Sequence, residues 1–333
     1  MLNRGEVLVR FVNITEDADG QRLDNFLFRV CSDVPKSRIY NAIRRGEVRI
    51  NKGRCKPSNK LKLEDVVRIP PFSGKSAVDA EAGPGNTSPA ERFVAGRIAA
   101  DALTDIVFED ELLLIINKPS GIAVHGGSGL QTGLIESLRL VRQSDHFLEL
   151  VHRLDRETSG LLLIAKKRRA LLRLQSMLQE GRVEKIYHAW VAGQWPKHVT
   201  EITAPLKKLV GQDKGVIVAS DGKASQTLFS VIGRTEHATL VEARPVTGRT
   251  HQIRVHAAYA GCPVIGDERY GDRTVNRRFS EQNVRRLCLH AAELVLKWDD
   301  SPHQRLRAQW NPEPGLHLPV QTPEKSDIDY GND

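Results

Sequence analysis

Apolar positions in this chain recur with two periods, and each change of period marks an element boundary. Leu23, Phe26, Leu27 and Val30 stand at i, i+3, i+4 and i+7, one face of a helix. A second helix is predicted from Pro35, whose missing N–H costs nothing at a helix start. Ile39, Ala42 and Ile43 form its inner stripe and Gly46 stops it. Short alternating or apolar runs predict strands at 7–12, 48–51 and 66–69. Further along, strands are predicted at 106–108, 112–116, 147–151, 161–165, 185–191, 225–232, 238–243, 263–265 and 287–296. Helical spacing returns at Leu134, Leu138 and Val141, at Leu171 to Leu178, and in a helix entered from 245–256 that ends near Gly261.

Strands outnumber helices and do not alternate strictly with them. The pattern predicts an α+β fold: a large mixed, mostly antiparallel β-sheet flanked by helices, preceded by a small N-terminal α/β module. At 333 residues there is room for two cores. The expected division is a small module over 1–71 with its core at 21–70, a flexible linker over 72–102, a second domain over 103–320 and a disordered tail over 321–333. The linker reading rests on a run of Ser, Ala, Gly, Pro and Asn without apolar periodicity. The tail reading rests on acidic and polar residues at the chain end.

Charge sharpens the division. The formal net charge is +8, but residues 21–62 hold twelve Lys and Arg against three Asp and Glu, a net of +9. The rest of the chain holds 37 against 38, a net of −1. One short segment therefore supplies the whole imbalance, which is the electrostatic footprint of a polyanion binder. Arg38, Arg44 and Arg45 fall on the outer side of the second helix, with Arg49 and Lys52 in the strand and turn beyond it. Such cations position a protein on phosphates without reading sequence.

Other classes are excluded more briefly. No apolar run approaches the roughly 18 residues of a membrane span, and the first residues lead into no signal-like segment. A cytoplasmic protein without a membrane partner is expected. The four cysteines form no CxxC pair, the eleven histidines form no HExxH, and His251 and His256 are five apart rather than four. No metal is expected.

The stretch His152-Arg153-Leu154-Asp155-Arg156-Glu157-Thr158-Ser159-Gly160 lies between two apolar runs, so a charged loop is predicted to join two buried strands. Charge alone reads it as a salt-bridged turn. In residue order it resembles the signature loop of the pseudouridine synthases, in the branch that modifies large-subunit ribosomal RNA. The segments around Tyr187 and Arg254 also match that family. Residues 21–70 resemble the RNA-binding module first known from a small-subunit ribosomal protein.

The resemblance implies an isomerase that breaks the N1–C1′ bond of a uridine, turns the held uracil and joins C5 to C1′. Neither cofactor nor metal is implied, and the partner is large-subunit (23S) ribosomal RNA met by a monomer. Asp155 matches the catalytic aspartate. A carboxylate nucleophile suits glycosidic chemistry without net hydrolysis, and attack at C1′, attack at C6 or assisted elimination all remain open. Arg254 matches an arginine paired with that aspartate, though spacing fits a phosphate contact equally. Tyr187 matches a tyrosine that stacks on the base or relays a proton, and a core aromatic is the plain alternative. By analogy Arg153 fills the space left by the flipped base. His152 orders the loop, Arg249 and His251 contact the RNA backbone, and Leu289 packs against the base. The Asn117-Lys118-Pro119-Ser120-Gly121 turn is read as structural. Two other functions fit parts of the chain: a non-catalytic ribosome-assembly factor, and a small-substrate glycosidase using Glu157 as its second carboxylate. The glycosidase leaves the basic module without a purpose.

Overall fold

The computed structural model describes residues 9–15, 17–31, 34–72, 89–126, 132–209, 211, 215–299, 303–308 and 310. The chain divides into two compact units, Met1–Val94 with Lys167–Arg169, and Ala95–Lys166 with Ala170–Asp333.

The first unit runs β1 (Arg10–Asn13), α1 (Leu23–Val30), α2 (Lys36–Arg45), β2 (Arg49–Ile50), β3 (Gly53–Arg54) and β4 (Val66–Ile69). Its strands form one antiparallel sheet in the order β1-β4-β2-β3. Leu23, Phe26 and Leu27 from α1, Ile39, Ala42 and Ile43 from α2, and Val67 and Ile69 from β4 share one core. Pro35 caps the start of α2 and Gly46 ends it in the left-handed region, φ 74°. Both helices thus follow their apolar spacing.

The next element is α3 (Pro89–Leu103). It corrects the linker reading of 72–102 over that stretch. The buried stripe consists of Ala95, Ala99 and Ala102. Alanine has the strongest helix propensity, but an all-alanine stripe barely contrasts with its polar neighbours. Residues 73–88 and the tail at 321–333 lie outside the described residues.

The second unit continues with β5 (Ile106–Glu109), β6 (Leu113–Lys118), α4 (Leu134–Val141), β7 (Glu149–Leu150), β8 (Ser159–Ala165), α5 (Arg168–Gln179) and β9 (Val183–Ala192). Then come β10 (Glu201–Thr203), β11 (Leu206–Lys208), β12 (Val216–Val218), β13 (Gln226–Arg234), β14 (Ala238–Pro245), α6 (Gln252–Tyr259), α7 (Arg273–Glu281), β15 (Leu289–Leu296) and β16 (Gln304–Arg307). Ten strands form one sheet, β10-β13-β14-β9-β15-β8-β6-β5, with β16 on β15 and β7 on β8. Its pairs are antiparallel except β15 with β8. This is the mixed, mostly antiparallel α+β architecture that the pattern predicts.

Strands β6 and β8 feed two cores at once. Leu114, Ile116, Leu162 and Ile164 join the core that α4 covers with Leu134, Ile135 and Leu138. Leu113, Ile115, Leu161 and Leu163 join the one that α5 covers with Ala170, Leu174 and Met177. Burial on both faces explains why these strands read as unbroken apolar runs. Two expected strands shrink. The run at 147–151 keeps only β7, and 263–265 keeps only a single bridge from Val264 to Val191.

One residue sets the approach of β15 to β8. Gly160 has φ 107°, and a Cβ there would lie 2.3 Å from the carbonyl oxygen of Ala291 and 2.5 Å from its nitrogen. Ala291 is its cross-strand partner. Gly160→Ala should therefore lower stability by roughly 3 kcal/mol or more, read as a fall in the denaturation midpoint. Wild-type stability in that variant would mean the two strands separate here without penalty.

Candidate active site

The charged loop emerges from β7 and returns through β8, which pair antiparallel as Glu149 with Ala165 and Leu150 with Ile164. Leu154 and Thr158 are buried and pin the loop, so Arg153 is left exposed and Asp155 half-buried between them. Ser159 and Gly160 begin the strand rather than complete a turn. Ser159 Oγ bonds His290 Nδ1 at 2.9 Å and accepts from Arg286 at 2.9 Å.

The turn after β6 fastens the loop from its other side. Lys118 is completely buried, and its Nζ donates to the carbonyls of Pro119 at 2.8 Å, Ile122 at 3.0 Å and Arg156 at 3.1 Å. Three acceptors match the three donors of an ammonium. Burial pulls the group down to about 7, while the carboxylates of Glu157 and Asp155 oppose that fall. Gly121 N also donates to Arg156 O, Arg156 Nε to Gly121 O, and Ser120 Oγ to Glu157 O. The turn read as structural from sequence is therefore the splint of the charged loop, with Lys118 as its central residue.

The loop faces a cleft of about 250 Å3. The cleft brings together Asp155, Tyr187 and Arg254, and with them His152, Arg153, Arg249, His251 and Leu289. Among the described residues that line it, only Asp155 carries a carboxylate. Tyr187 enters from β9, in register with Ala291 on β15 and Ala243 on β14. Beyond Ala291 the same row reaches Gly160. Small residues flank the tyrosine on both sides, which gives its ring room.

Arg254 comes from α6. That helix is fixed by Gln252, which accepts from Arg249 N and Thr247 Oγ1 and donates to Gln226 O and Thr227 Oγ1. The guanidinium is gripped by Asp267, with Nε to Oδ2 at 2.8 Å and Nη2 to Oδ1 at 2.9 Å. Nη1 is left to donate to Asp155 Oδ2 at 3.2 Å. Arg254 also lies over the Tyr270 ring, 5.1 Å from its centre. Burial works against the Arg254 charge, but the hydrogen bond and charge of Asp267, then those of Asp155, outweigh it and raise its pKa. Asp267 itself is fully buried. Burial opposes its charge, yet Arg254 and the backbone N–H groups of Tyr270 and Arg269 hold it below the ordinary 3.8.

His251 precedes α6 in the left-handed region, φ 54°. Burial lowers its pKa, with Asp155 opposing and Arg254 and Arg269 assisting. Tyr270 Oη accepts from Val216 N at 3.0 Å and lies 2.7 Å from His251 Nδ1. Nε2 stands 3.7 Å from Asp155 Oδ2. His152 is pushed down to about 4 by burial, then by Lys185, and its Nε2 accepts from Leu163 N at 3.2 Å. Burial, then Asp155, raises the pKa of Tyr187, so its phenol stays protonated. Glu157 lies outside the cleft lining and pairs with Arg156 at 3.3 Å, so the glycosidase reading lacks its second carboxylate.

Sequence reasoning missed Asp267, Tyr270 and Lys185, the last a cleft residue whose pKa burial lowers. Gly266-Asp267-Glu268-Arg269-Tyr270 reads as an ordinary polar turn. No spacing rule links it to Arg254 thirteen residues earlier. In the first unit Arg38, Arg44, Arg45, Arg49 and Lys52 are all exposed. Among the described residues no cluster of three or more His, Cys, Asp or Glu could hold a metal, and no helix is long and apolar enough to cross a membrane.

Removing Asp267 leaves a buried guanidinium half-paired, so Asp267→Ala should lose about 3–5 kcal/mol of stability. The depressed pKa of Asp267 means its contribution is complete above the unfolded carboxylate pKa of about 3.9. It fades as pH falls through the lower folded value. Unfolding curves from pH 6 to pH 2 should then show a flatter acid limb for Asp267→Asn than for the wild type.

The chain was also compared with known proteins. A family model described as RNA pseudouridylate synthase matches residues 112–259, and one described as S4 domain matches residues 21–67. Ribosomal large subunit pseudouridine synthase C of Pasteurella multocida (strain Pm70) is 50% identical over 287 residues, covering 85% of this chain and 84% of the relative. The protein of the same name from Escherichia coli (strain K12) is 51% identical over 291 residues, covering 86% and 88%. Among solved structures, human RNA pseudouridylate synthase domain containing 4 aligns with TM-score 0.55 at 25% identity, covering 66% of this chain and 93% of that one.

Proposed function

The chain belongs to the RNA pseudouridylate synthase family, and on that premise we propose that it isomerises uridines of large-subunit (23S) ribosomal RNA to pseudouridine with Asp155 as the reacting carboxylate. One observation carries the assignment. Asp155 is the one carboxylate among the described cleft residues, and a buried arginine already bound to a second carboxylate holds it in place.

The chemistry needs few parts. The N1–C1′ bond breaks, the uracil turns while held, C5 bonds to C1′, C5 gives up its proton and N1 gains one. A carboxylate facing the sugar supports that exchange without water entering the product. Arg254 keeps its charge and fixes the carboxylate oxygen nearest it. Tyr187 and Leu289 line the space for the base, and Tyr187 meets it as a neutral phenol. A uridine in folded RNA must first leave its stack, at a cost of about a few kcal/mol. Arg153, exposed on the same loop, fills the vacated position. Arg249 and His251 border the entrance and meet the RNA backbone there.

The basic module over 21–62 docks the RNA through phosphate contacts from Arg38, Arg44, Arg45, Arg49 and Lys52. In this reading the protein is a cytoplasmic monomer that uses neither metal nor cofactor. Similarity to the synthase C proteins supports the choice of RNA.

Asp155→Asn keeps the shape and removes the carboxylate. Pseudouridine mapping on ribosomal RNA from cells lacking the protein, complemented with wild type or variant, should show sites restored only by the wild type. Binding of ribosomal RNA fragments by the variant should stay within about threefold of wild type, well under the tenfold that ~1.4 kcal/mol represents. Restored pseudouridine with Asp155→Asn would sink the assignment.

A further inference from the structure

Across the sheet of the first unit, Phe11 on β1 stands opposite Arg68 on β4, Arg68 opposite Arg49 on β2, and Arg49 opposite Arg54 on β3. Directly paired residues share a face of a sheet, so these four form one row. The row faces away from the core, because the alternate residues Val67 and Ile69 of β4 are the buried ones. It is therefore a different surface from the helix side that carries Arg38, Arg44 and Arg45.

Three features set the row apart from a solvated basic face. Like charges directly opposite one another destabilise a sheet, and here two successive pairs are Arg opposite Arg. Among the described residues no carboxylate pairs with any of the three. Two of the arginines are also held in place by backbone. Arg49 donates to Gly46 O at 3.1 Å and Lys52 O at 3.2 Å, and Arg68 donates to Glu47 O at 2.5 Å. Beside them Phe11 is 66% exposed. Single exposed aromatics are common, but this one borders a hollow whose other walls are Arg49, Asn51, Lys52, Val66 and Arg68. None of those residues is acidic.

We propose that the RNA-docking surface continues from Arg49 and Lys52 onto this outer sheet face, which takes an unpaired stretch of the substrate RNA by stacking a base on Phe11 and holding adjacent phosphates with Arg68, Arg49 and Arg54. A sheet that offers an aromatic side chain beside cations is a sound platform for single strands, because every base has a face to stack. Charge complementarity selects the occupant: repelling arginines at fixed positions are relieved by a polyanion. With strands about 4.8 Å apart the row spans roughly 14 Å, room for a short single strand. The proposal rests on the reading of the first unit as an RNA-docking module and adds a face and a mode of contact to it.

The test uses the full-length protein and two probes, a labelled single-stranded oligoribonucleotide and a hairpin whose stem is fully paired. Phe11→Trp places a fluorophore in the stacking position; the single strand should quench it and the stem should not. Phe11→Ala should weaken single-strand binding by roughly 5- to 150-fold, the range of one lost stacking contact, with an unchanged salt slope. Arg68→Gln and Arg54→Gln should each reduce the salt slope by about 0.7. Thermal unfolding of each variant checks the fold. Arg44→Gln/Arg45→Gln separates the two readings. If it weakens binding while Phe11→Ala and Phe11→Trp respond to neither probe, the docking module stands and the sheet face is overturned. If no variant alters binding of either RNA, the module reading fails as well.

Discussion

A single buried guanidinium organises the candidate site. Arg254 has two carboxylates to satisfy, and it meets them with different edges: Nε and Nη2 fork onto Asp267, and Nη1 reaches Asp155. A charge this deep is tolerable only when paired and hydrogen-bonded. Asp267 supplies that pairing from a fully buried position in a turn whose own N–H groups hold its Oδ1. The fork is rigid, so fixing two of its nitrogens fixes the direction of the third. The position of Asp155 therefore follows from a turn far later in the chain.

The loop that carries Asp155 is held as firmly by its backbone. Lys118 directs its three donors onto carbonyls of two segments, one of them Arg156 next to Asp155. Gly160 lets β8 pass against Ala291 at a distance no side chain permits. Ammonium clamp, bare backbone and guanidinium fork act on different parts of one short loop. Each is buried or backbone-based, so solvent does little to loosen the arrangement. A preorganised carboxylate of this kind suits a reaction in which nothing enters and nothing leaves.

Local pattern exposed much of this and not the rest. Helices α1 and α2, Pro35, Gly46 and the long strands β6, β8, β9 and β13 to β15 were legible because apolar period and turn residues agreed. Helix α3 was not, since its buried stripe is alanine. Helix α7 was not, since only Phe279 is buried in it, and the short β10, β11, β12 and β16 carry too few residues for a period. At the site, the resemblance indicated Asp155, Tyr187 and Arg254, and the fold gathers all three in one cleft. Asp267 and Tyr270 stayed hidden because their meaning is wholly tertiary: an aspartate in a polar turn has no sequence mark that a guanidinium will face it. Lys118 sat inside a motif whose Pro and Gly already explained a turn, so the lysine attracted no further reading.

Charge is distributed so that docking and chemistry do not compete. The cationic excess lies entirely in 21–62, and the remainder of the chain is close to neutral at −1. At the cleft Arg254 is already paired with Asp267 when it meets Asp155. An RNA phosphate therefore gains little by displacing Asp155 from it. Had Arg254 been unpaired on its far side, a polyanion drawn to the protein would bind the guanidinium and pull it from Asp155. Asp267 removes that hazard by occupying the fork that a phosphate would otherwise take. The same aspartate that makes the buried arginine tolerable thus also reserves its Nη1 for Asp155, so the cleft carboxylate keeps its guanidinium partner rather than losing it to a phosphate.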